Sequence, residues 1–205
     1  ERYRGVLDKV VSREVADEIT LSSELDAFRL QFEELANDAD AMTSALTDDQ
    51  FNWRPPSGGG TVSQCTDHLN VTAREYLPKL HEGIADAIRR GLYGEGPFHY
   101  TVLGRLFVWS QQPTTKLKYK ATKAFEPSPS RRKQETLAAF RAYQVQLVDR
   151  LRQANGLDLA RARVSSPVVA VLRMPLGSGF ALMVAHERRH LQQARTVLAD
   201  PAFPR

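Results

Sequence analysis

The chain has 205 residues, of which 42% are hydrophobic and 25% are charged, and it carries a net charge of +4 with a pI near 9.3. This composition is typical of a folded globular protein and excludes a disordered chain, and no apolar run approaches the roughly 20 residues that span a bilayer. The one cysteine, Cys65, excludes an intrachain disulfide and a cysteine-based zinc finger, so we expect a cytoplasmic protein.

The first predicted elements lie near the N-terminal end of the sequence. Residues 1–22 are charged and amphipathic, and we expect them to form an N-terminal extension with a short helix. Residues 23–46 carry apolar side chains at three- and four-residue steps, which is typical of an amphipathic helix that packs one face on a core. Ser22 or Ser23 precedes this stripe and is a suitable N-cap.

A proline- and glycine-rich linker, FNWRPPSGGG at residues 51–60, separates this helix from the next one. The second helix is predicted over residues 61–90, where apolar side chains recur with helical spacing. Pro78 lies inside it and lacks the backbone N–H that a helix uses, so we expect a kink or a break there.

The next segment, residues 91–130, is predicted to be a long connection rich in glycine, proline and aromatic residues. A short helix is predicted within it, around residues 102–111. A third long helix is predicted over residues 130–154, and a fourth begins near residues 176–178.

Residues 164–174 resemble a short strand, but Pro167 and the isolation of the segment argue against a sheet. The predicted fold is therefore all-α, a four-helix bundle with long crossover connections. We expect a single domain over residues 1–205, because the sequence has the length of one domain and no internal repeat.

The last predicted helix carries two histidines, His186 and His190, four residues apart. At this spacing their Cβ atoms lie on one face, about 5–6 Å apart, so both imidazoles can bind one metal ion. His68 lies beside the apolar stripe of the second helix and is a candidate third ligand. Three imidazoles leave open coordination positions on a transition metal, as in catalytic sites. The spacing alone does not decide between a shared metal site and three histidines that bind no common metal.

The segment His186-Glu187-Arg188-Arg189-His190 also matches H-E-x-x-H, the helix of zinc proteases. We do not predict a protease, because a third ligand is expected downstream and the 15 residues after His190 contain no histidine. Glu187 remains a candidate catalytic base. A carboxylate that supports the metal site indirectly, or one that is simply solvated, is the alternative.

A cluster of basic residues lies within residues 116–133. Such a cluster suits phosphate binding, but it also suits a solvated connection, which we favour because no glycine-rich phosphate loop or RNA-binding aromatic motif accompanies it. We therefore expect no nucleic-acid partner and no membrane partner. A homodimer is compatible with a bundle of this size, since most soluble oligomers are symmetric.

Three segments together resemble the DinB-like (DinB/YfiT) superfamily of metal-dependent enzymes. FNWRPPSGGGTVSQCTDHLN resembles the family's Trp-x-Pro turn and the helix that carries its first histidine. KYKATKAFEPSPS resembles its lysine-rich central connection, and HERRHLQQARTV resembles its closing helix with two histidines four apart. The resemblance covers roughly residues 23–200.

The resemblance implies a four-helix bundle with a long crossover and a metal held by His68, His186 and His190. Members of the family include transferases and isomerases that use low-molecular-weight thiols. We therefore expect a metal-dependent enzyme that acts on a small molecule, either a thiol-dependent S-transferase or a hydrolase. The expected cofactor is a divalent transition metal, with Zn²⁺ or Ni²⁺ preferred over Fe²⁺, Co²⁺ and Mn²⁺. The alternative is a non-catalytic stress-response or binding module with a structural metal.

Other residues near the predicted site are weaker candidates. Trp53 and Trp109 are candidate walls of a pocket, although both residues more often serve in packing. Gln64 is one helical turn before His68 and is a candidate to orient a metal ligand by a hydrogen bond. Arg189 is a candidate ligand for an anionic substrate, and Cys65 is not expected to be the nucleophile, because a single buried cysteine usually packs in a core.

Overall fold

The structure is a computed structural model that describes residues 20–100, 109, 125–169 and 171–205. Four long helices dominate these residues, together with one short helix and one two-stranded sheet. In chain order the elements are α1 (Ser23–Thr43), α2 (Asp48–Asn52), α3 (Val62–Arg89), α4 (Lys133–Gln153), β1 (Arg163–Ser165), β2 (Arg173–Pro175) and α5 (Leu176–Leu198).

Helices α1 and α4 pack side by side in opposite directions. Arg141 of α4 pairs with Asp40 near the end of α1, at 2.7 Å. At the other end, the Asn155 side chain beyond α4 accepts a hydrogen bond from the backbone N–H of Ser22, at 3.0 Å. Contacts at both ends therefore fix these helices as antiparallel neighbours.

Helix α5 runs parallel to α1 and antiparallel to α3. The rings of Phe28 and Phe180 lie 6.1 Å apart near the start of α1 and α5, and Arg195 pairs with Asp38 near their ends. The start of α3 packs instead against the end of α5, through the buried side chains Cys65 and Val197. The four helices thus run up, down, down and up, which requires the long connection between α3 and α4.

The predicted all-α four-helix bundle is confirmed. Its core lies between the four helices and is filled by apolar side chains that meet as each helix presents one stripe inward. The largest of these fully buried side chains include Phe32, Phe140, Phe180, Leu80 and Leu147.

Helix α3 begins with a capping box, in which the Thr61 side chain and the Gln64 side chain each bond the other residue's backbone N–H. The prediction of a break at Pro78 is wrong, since α3 continues as one helix through this residue to Arg89. A short helix, α2, which was not predicted, lies between α1 and α3 and overlaps only the start of the 51–60 linker. A second capping box, between Thr47 and Gln50, begins α2.

The argument against a sheet near residues 164–174 is wrong. Strands β1 and β2 pair antiparallel, with Val164 opposite Met174, and Pro167 lies in the loop between them, where it removes no ladder hydrogen bond. Two glycines, on α3 and α5, allow this hairpin to pack closely against the helices. A Cβ at Gly83 would lie 2.5 Å from the Arg163 carbonyl oxygen, and one at Gly179 would lie 2.7 Å from Val164 Cγ1.

The short helix in residues 1–22 and the one around residues 102–111 fall almost entirely outside the described residues, as does most of the basic cluster at 116–133. Of that cluster, Arg131 approaches Asp67 at 3.5 Å, and the Lys133 ammonium donates to backbone carbonyls at the end of α1, so both residues make contacts that stabilise the fold.

Within the described ranges, no helix has the length and apolarity to cross a bilayer.

Candidate metal centre

The three predicted histidines meet between α3 and α5. Each contributes one ring nitrogen to a group whose atoms all lie within 4.8 Å of one another. The ring centroid of His68 is 5.2 Å from that of His186 and 4.4 Å from that of His190, and the two α5 rings are 4.5 Å apart. The bundle therefore joins residues that are 118 positions apart in the chain.

A backbone carbonyl orients the His68 ring. The Nδ1 atom of His68 lies 2.7 Å from the Phe125 carbonyl oxygen, which can only accept, so Nδ1 carries the proton. In the neutral ring Nε2 is then left with a lone pair. That atom points to the other histidines, with His186 Nε2 3.2 Å away.

The spacing of these nitrogens suits a shared cation. Two ligands at Zn–N distances of about 2.0–2.1 Å in a tetrahedral site are separated by about 3.3–3.4 Å. The observed 3.2 Å between Nε2 of His68 and Nε2 of His186 is close to this value. A histidine that donates its other N–H to a carbonyl is also the usual arrangement of a metal ligand, so the donor set fits a transition metal.

Burial keeps the three imidazoles neutral. Burial, together with the neighbouring His68 and Arg189, lowers the pKa of His186 to about 3. The pKa of His190 is well below its usual value, mainly through burial and then through His186 and His68. Burial also lowers the pKa of His68, although the Phe125 carbonyl and Asp67 oppose the shift. Neutral imidazole is the form that binds a metal.

The residues that precede α4 hold the carbonyl in place beside His68. The Asp67 side chain, next to His68 in α3, accepts a hydrogen bond from the backbone N–H of Ser128 at 2.7 Å. This bond and the ion pair with Arg131 attach the segment that carries Phe125 to α3. The end of the crossover is thus tied to the metal centre.

The histidines border a cavity of about 990 Å³, near the upper end of the range for small-molecule sites. The cavity follows the seam between α3 and α5. Thr72 lies beside the histidines, and its hydroxyl is 3.5 Å from His186 Nε2. A bound molecule would therefore contact the three histidines directly.

Glu187 follows His186 in sequence, but its side chain lies in a different environment from the His186 ring. It is 1% exposed, so the alternative of a solvated carboxylate is wrong, and among the described residues it does not line the cavity. Burial raises its pKa to about 8, which Gln144 partly opposes. The carboxyl is therefore largely uncharged at neutral pH, and its role as a catalytic base stays a prediction.

The weaker candidates divide into two groups. Trp53 packs edge-on against Phe203, with ring centroids 5.3 Å apart, and neither it nor the exposed Trp109 lines the cavity among the described residues. Gln64, Cys65 and Arg189 do line it. Burial raises the pKa of the Cys65 thiol to about 12, which agrees with the expectation that Cys65 is not a nucleophile.

Sequence reasoning missed three parts of the site. The Phe125 carbonyl is a backbone atom, and no side-chain pattern marks it. Thr72 had a usable signal, since it lies one helical turn after His68 on the same face. Val168 and Val169 line the cavity from the hairpin that was not expected.

The fold and the three-histidine cluster together define a class of protein, a helical bundle with a candidate metal centre in one helix seam. The family model of the DinB superfamily matches residues 31–194, so the chain belongs to this superfamily and the resemblance is confirmed.

One solved structure shares the fold over most of both chains. YfiT from Bacillus subtilis, described as a probable metal-dependent hydrolase with an unusual four-helix bundle topology, is 17% identical with a TM-score of 0.55. The match covers 88% of this chain and 89% of that one. The likeness at this identity shows a common fold. No curated protein matches the chain.

Proposed function

We propose that this protein is a metal-dependent enzyme that acts on a small molecule, with His68, His186 and His190 as the ligands of one divalent transition metal. The observation that carries the proposal is the set of three imidazole nitrogens within 4.8 Å of one another at the wall of a cavity of about 990 Å³. Zn²⁺ and Ni²⁺ are the first candidates, followed by Fe²⁺, Co²⁺ and Mn²⁺.

When bound, such a metal lowers the pKa of a water or a thiol, which makes it a nucleophile near neutral pH. The chain's own residues then bind and orient the substrate. The Thr72 hydroxyl lies close enough to His186 to hydrogen-bond a group at the centre, and Arg189 lies at the cavity wall, where it suits an anionic substrate group. Glu187 is not among the described residues that line the cavity, so its predicted role as a base requires proton transfer through its neighbours.

Two reactions suit this site. In a thiol transfer, a sulfur–carbon bond forms to an electrophilic substrate, the bond to the leaving group breaks, and the thiol proton goes to the leaving group or to solvent. In a hydrolysis, water takes the place of the thiol. The cavity is large enough for a thiol and a second reactant, which supports thiol transfer. The description of YfiT supports hydrolysis. The thiol of Cys65, with its raised pKa, is unsuited to replace a small thiol.

The non-catalytic alternative predicts a different metal site. A structural metal is usually coordinatively closed, and its removal unfolds a protein that depends on it. Three ligands beside a large cavity leave positions for other molecules, which supports the catalytic proposal. Chelation of the metal is therefore expected to leave the helical circular dichroism signal intact, and loss of that signal would favour the structural alternative.

The proposal is tested by elemental analysis of the purified untagged protein and of two variants. His186→Ala should lose the metal, while His81→Ala should keep about one equivalent, because His81 is exposed on α3 and far from the cluster. The loaded protein is then assayed with electrophiles in the presence and absence of small thiols, and with ester and amide substrates. Absence of metal in the wild type, even after incubation with Zn²⁺, Ni²⁺ and Mn²⁺, would contradict the proposal.

A further inference from the structure

Because α3 and α5 pack antiparallel, the residues that line the cavity follow one another along the two helices, with the histidines in the middle. Along α3 the lining residues follow at one-turn steps, with Gln64 before His68, and Thr72 and Tyr76 after it. The α5 residues follow in the opposite order, because Thr72 lies beside His186 while Cys65 packs near Val197. A molecule at the histidines can therefore extend toward two different ends.

One end, the turn half, is formed by the 57–60 turn, the start of α3 and the end of α5. Its hydrogen-bonding side chains include Gln64, Gln193, Thr196 and Asp200. Cys65 and Val197 are also in this half, and both are largely buried below it. The turn half therefore carries most of the polar side chains of the cavity wall, although Gln64, Thr196 and Asp200 also make hydrogen bonds within the chain.

The other end, the hairpin half, is apolar. Its walls come from α3, from the start of α5 and from the loop of the β1–β2 hairpin. Its lining residues are Tyr76, Ser166, Val168, Val169, Leu182 and Met183.

The polar groups of the hairpin half already have partners. The Ser166 hydroxyl bonds the Tyr76 phenol and accepts from the backbone N–H groups of Val168 and Val169 at 3.2 Å each. The bond to Tyr76 holds the hairpin loop against α3, and the other two fix the conformation of the loop itself. What the hairpin half offers a ligand is apolar surface.

Part of this apolar surface is open to water. Val168 and Val169 line the cavity, yet they are 48% and 46% exposed. Covering them with an apolar group is favourable, since it removes apolar surface from water. The hairpin half extends from Thr72 to Tyr76, which is about one helical turn, or about 6 Å along the axis of α3. This length matches an extended chain of about five carbon atoms.

We propose that the substrates of this site carry an apolar group of about five carbon atoms, which binds in the hairpin half against Val168, Val169 and Leu182. The reacting group of such a substrate lies over the three histidines, and its polar remainder faces the turn half. This inference rests on the proposed function, because it is the metal centre that anchors the reacting group.

The test uses two hydroxamates, which bind a metal through the same two oxygens and differ only in their tails. Binding of acetohydroxamate and hexanohydroxamate to the Zn²⁺-loaded protein is measured by calorimetry. We expect hexanohydroxamate to bind about tenfold tighter or more, because four further methylenes leave water. Val169→Asp should reduce this preference to less than about threefold.

Val171→Asp is the matched control. It makes the same chemical change in the same loop, at a valine that is 91% exposed and is not among the cavity-lining residues that the structure describes. It should keep the full preference for the longer tail. Both variants replace side chains with large exposed fractions, so both are expected to fold.

The outcomes separate two failures. One failure is that acetohydroxamate binds and hexanohydroxamate binds no tighter, or that Val171→Asp removes the preference as Val169→Asp does. Either result would contradict binding of the apolar group in the hairpin half and would leave the proposed metal centre intact. If neither hydroxamate binds, the metal centre itself is wrong, and the inference falls with it because nothing then anchors the substrate.

Discussion

The cavity face and the core face of α5 give neighbouring ionisable residues different environments. His186 and His190 face α3 across the cavity, with neutral rings whose nitrogens converge. Glu187 lies between them in sequence but faces the interior, where it is 1% exposed and its pKa is raised to about 8. The H-E-x-x-H pattern therefore specifies only the spacing of three residues, and two of the three share a site here.

The largest expected effect is on the cavity face. His190→Ala removes one of three ligands and is expected to weaken metal binding at least about 100-fold, which corresponds to about 2.8 kcal/mol. Titration of the metal-free protein with Zn²⁺ in a calorimeter measures this change. If the variant binds as tightly as the wild type, His190 is not a ligand.

A second prediction concerns the contact of α5 with the hairpin. Gly179→Ala places a Cβ 2.7 Å from Val164 Cγ1, so it is expected to lower the free energy of unfolding by about 1–3 kcal/mol, although alanine favours helices. Urea denaturation measures the change. Adding Val164→Ala removes the clashing methyl and should recover part of this specific loss, whereas simply additive effects would contradict the close contact.

A third prediction concerns the core face. In the metal-free protein, Glu187→Gln replaces a buried carboxyl with a neutral group of the same shape, and it is expected to be more stable than the wild type at pH 8 by about 1–3 kcal/mol. The folded-state pKa is raised, so wild-type stability is fully present below about pH 4.5 and falls as the pH rises to about 8.

Comparison of the two unfolding curves at several pH values isolates this effect. The histidines titrate equally in both proteins, so the difference between wild type and Glu187→Gln should widen from pH 5 to pH 8. A difference that does not change with pH would mean that Glu187 is charged in the folded state. Enzymatic activity in Glu187→Gln, assayed separately, tests the predicted role as a base.

The smallest effect is expected on the solvent face of α5. Arg188 lies 3.9 Å from Glu34; the Arg188 side chain is partly exposed and that of Glu34 is largely exposed. Arg188→Ala should change the free energy of unfolding by no more than about 0.5 kcal/mol, because exposed ion pairs contribute little. A loss of several kcal/mol, measured by the same denaturation, would show that this face is not a simple solvated surface.

The helices and the histidine pair could be predicted because their signals are local. An apolar stripe repeats along each helix, and the spacing of His186 and His190 fixes them as neighbours whatever the rest of the chain does. His68 was assigned from its place beside an apolar stripe and from the family resemblance. Its approach to the α5 histidines then depends only on how α3 and α5 pack.

The remaining features depend on long-range packing that a single sequence does not display. The β1–β2 hairpin is short and is stabilised against α3 and α5 through Gly83 and Gly179, so no strand pattern of ordinary length marks it. The burial of Glu187 follows from the position of α4, which brings Gln144 close to it. The carbonyl of Phe125 belongs to the backbone, which is chemically the same at every residue.

Anomalous diffraction from crystals grown with Zn²⁺ tests whether His68, His186 and His190 hold one metal ion. Data collected on both sides of the zinc absorption edge locate the ion without assumptions about its ligands. We predict one strong peak at about 2.0–2.1 Å from a nitrogen of each histidine. A peak bound elsewhere, or no peak with His68 and His186 hydrogen-bonded directly to each other, would contradict the account.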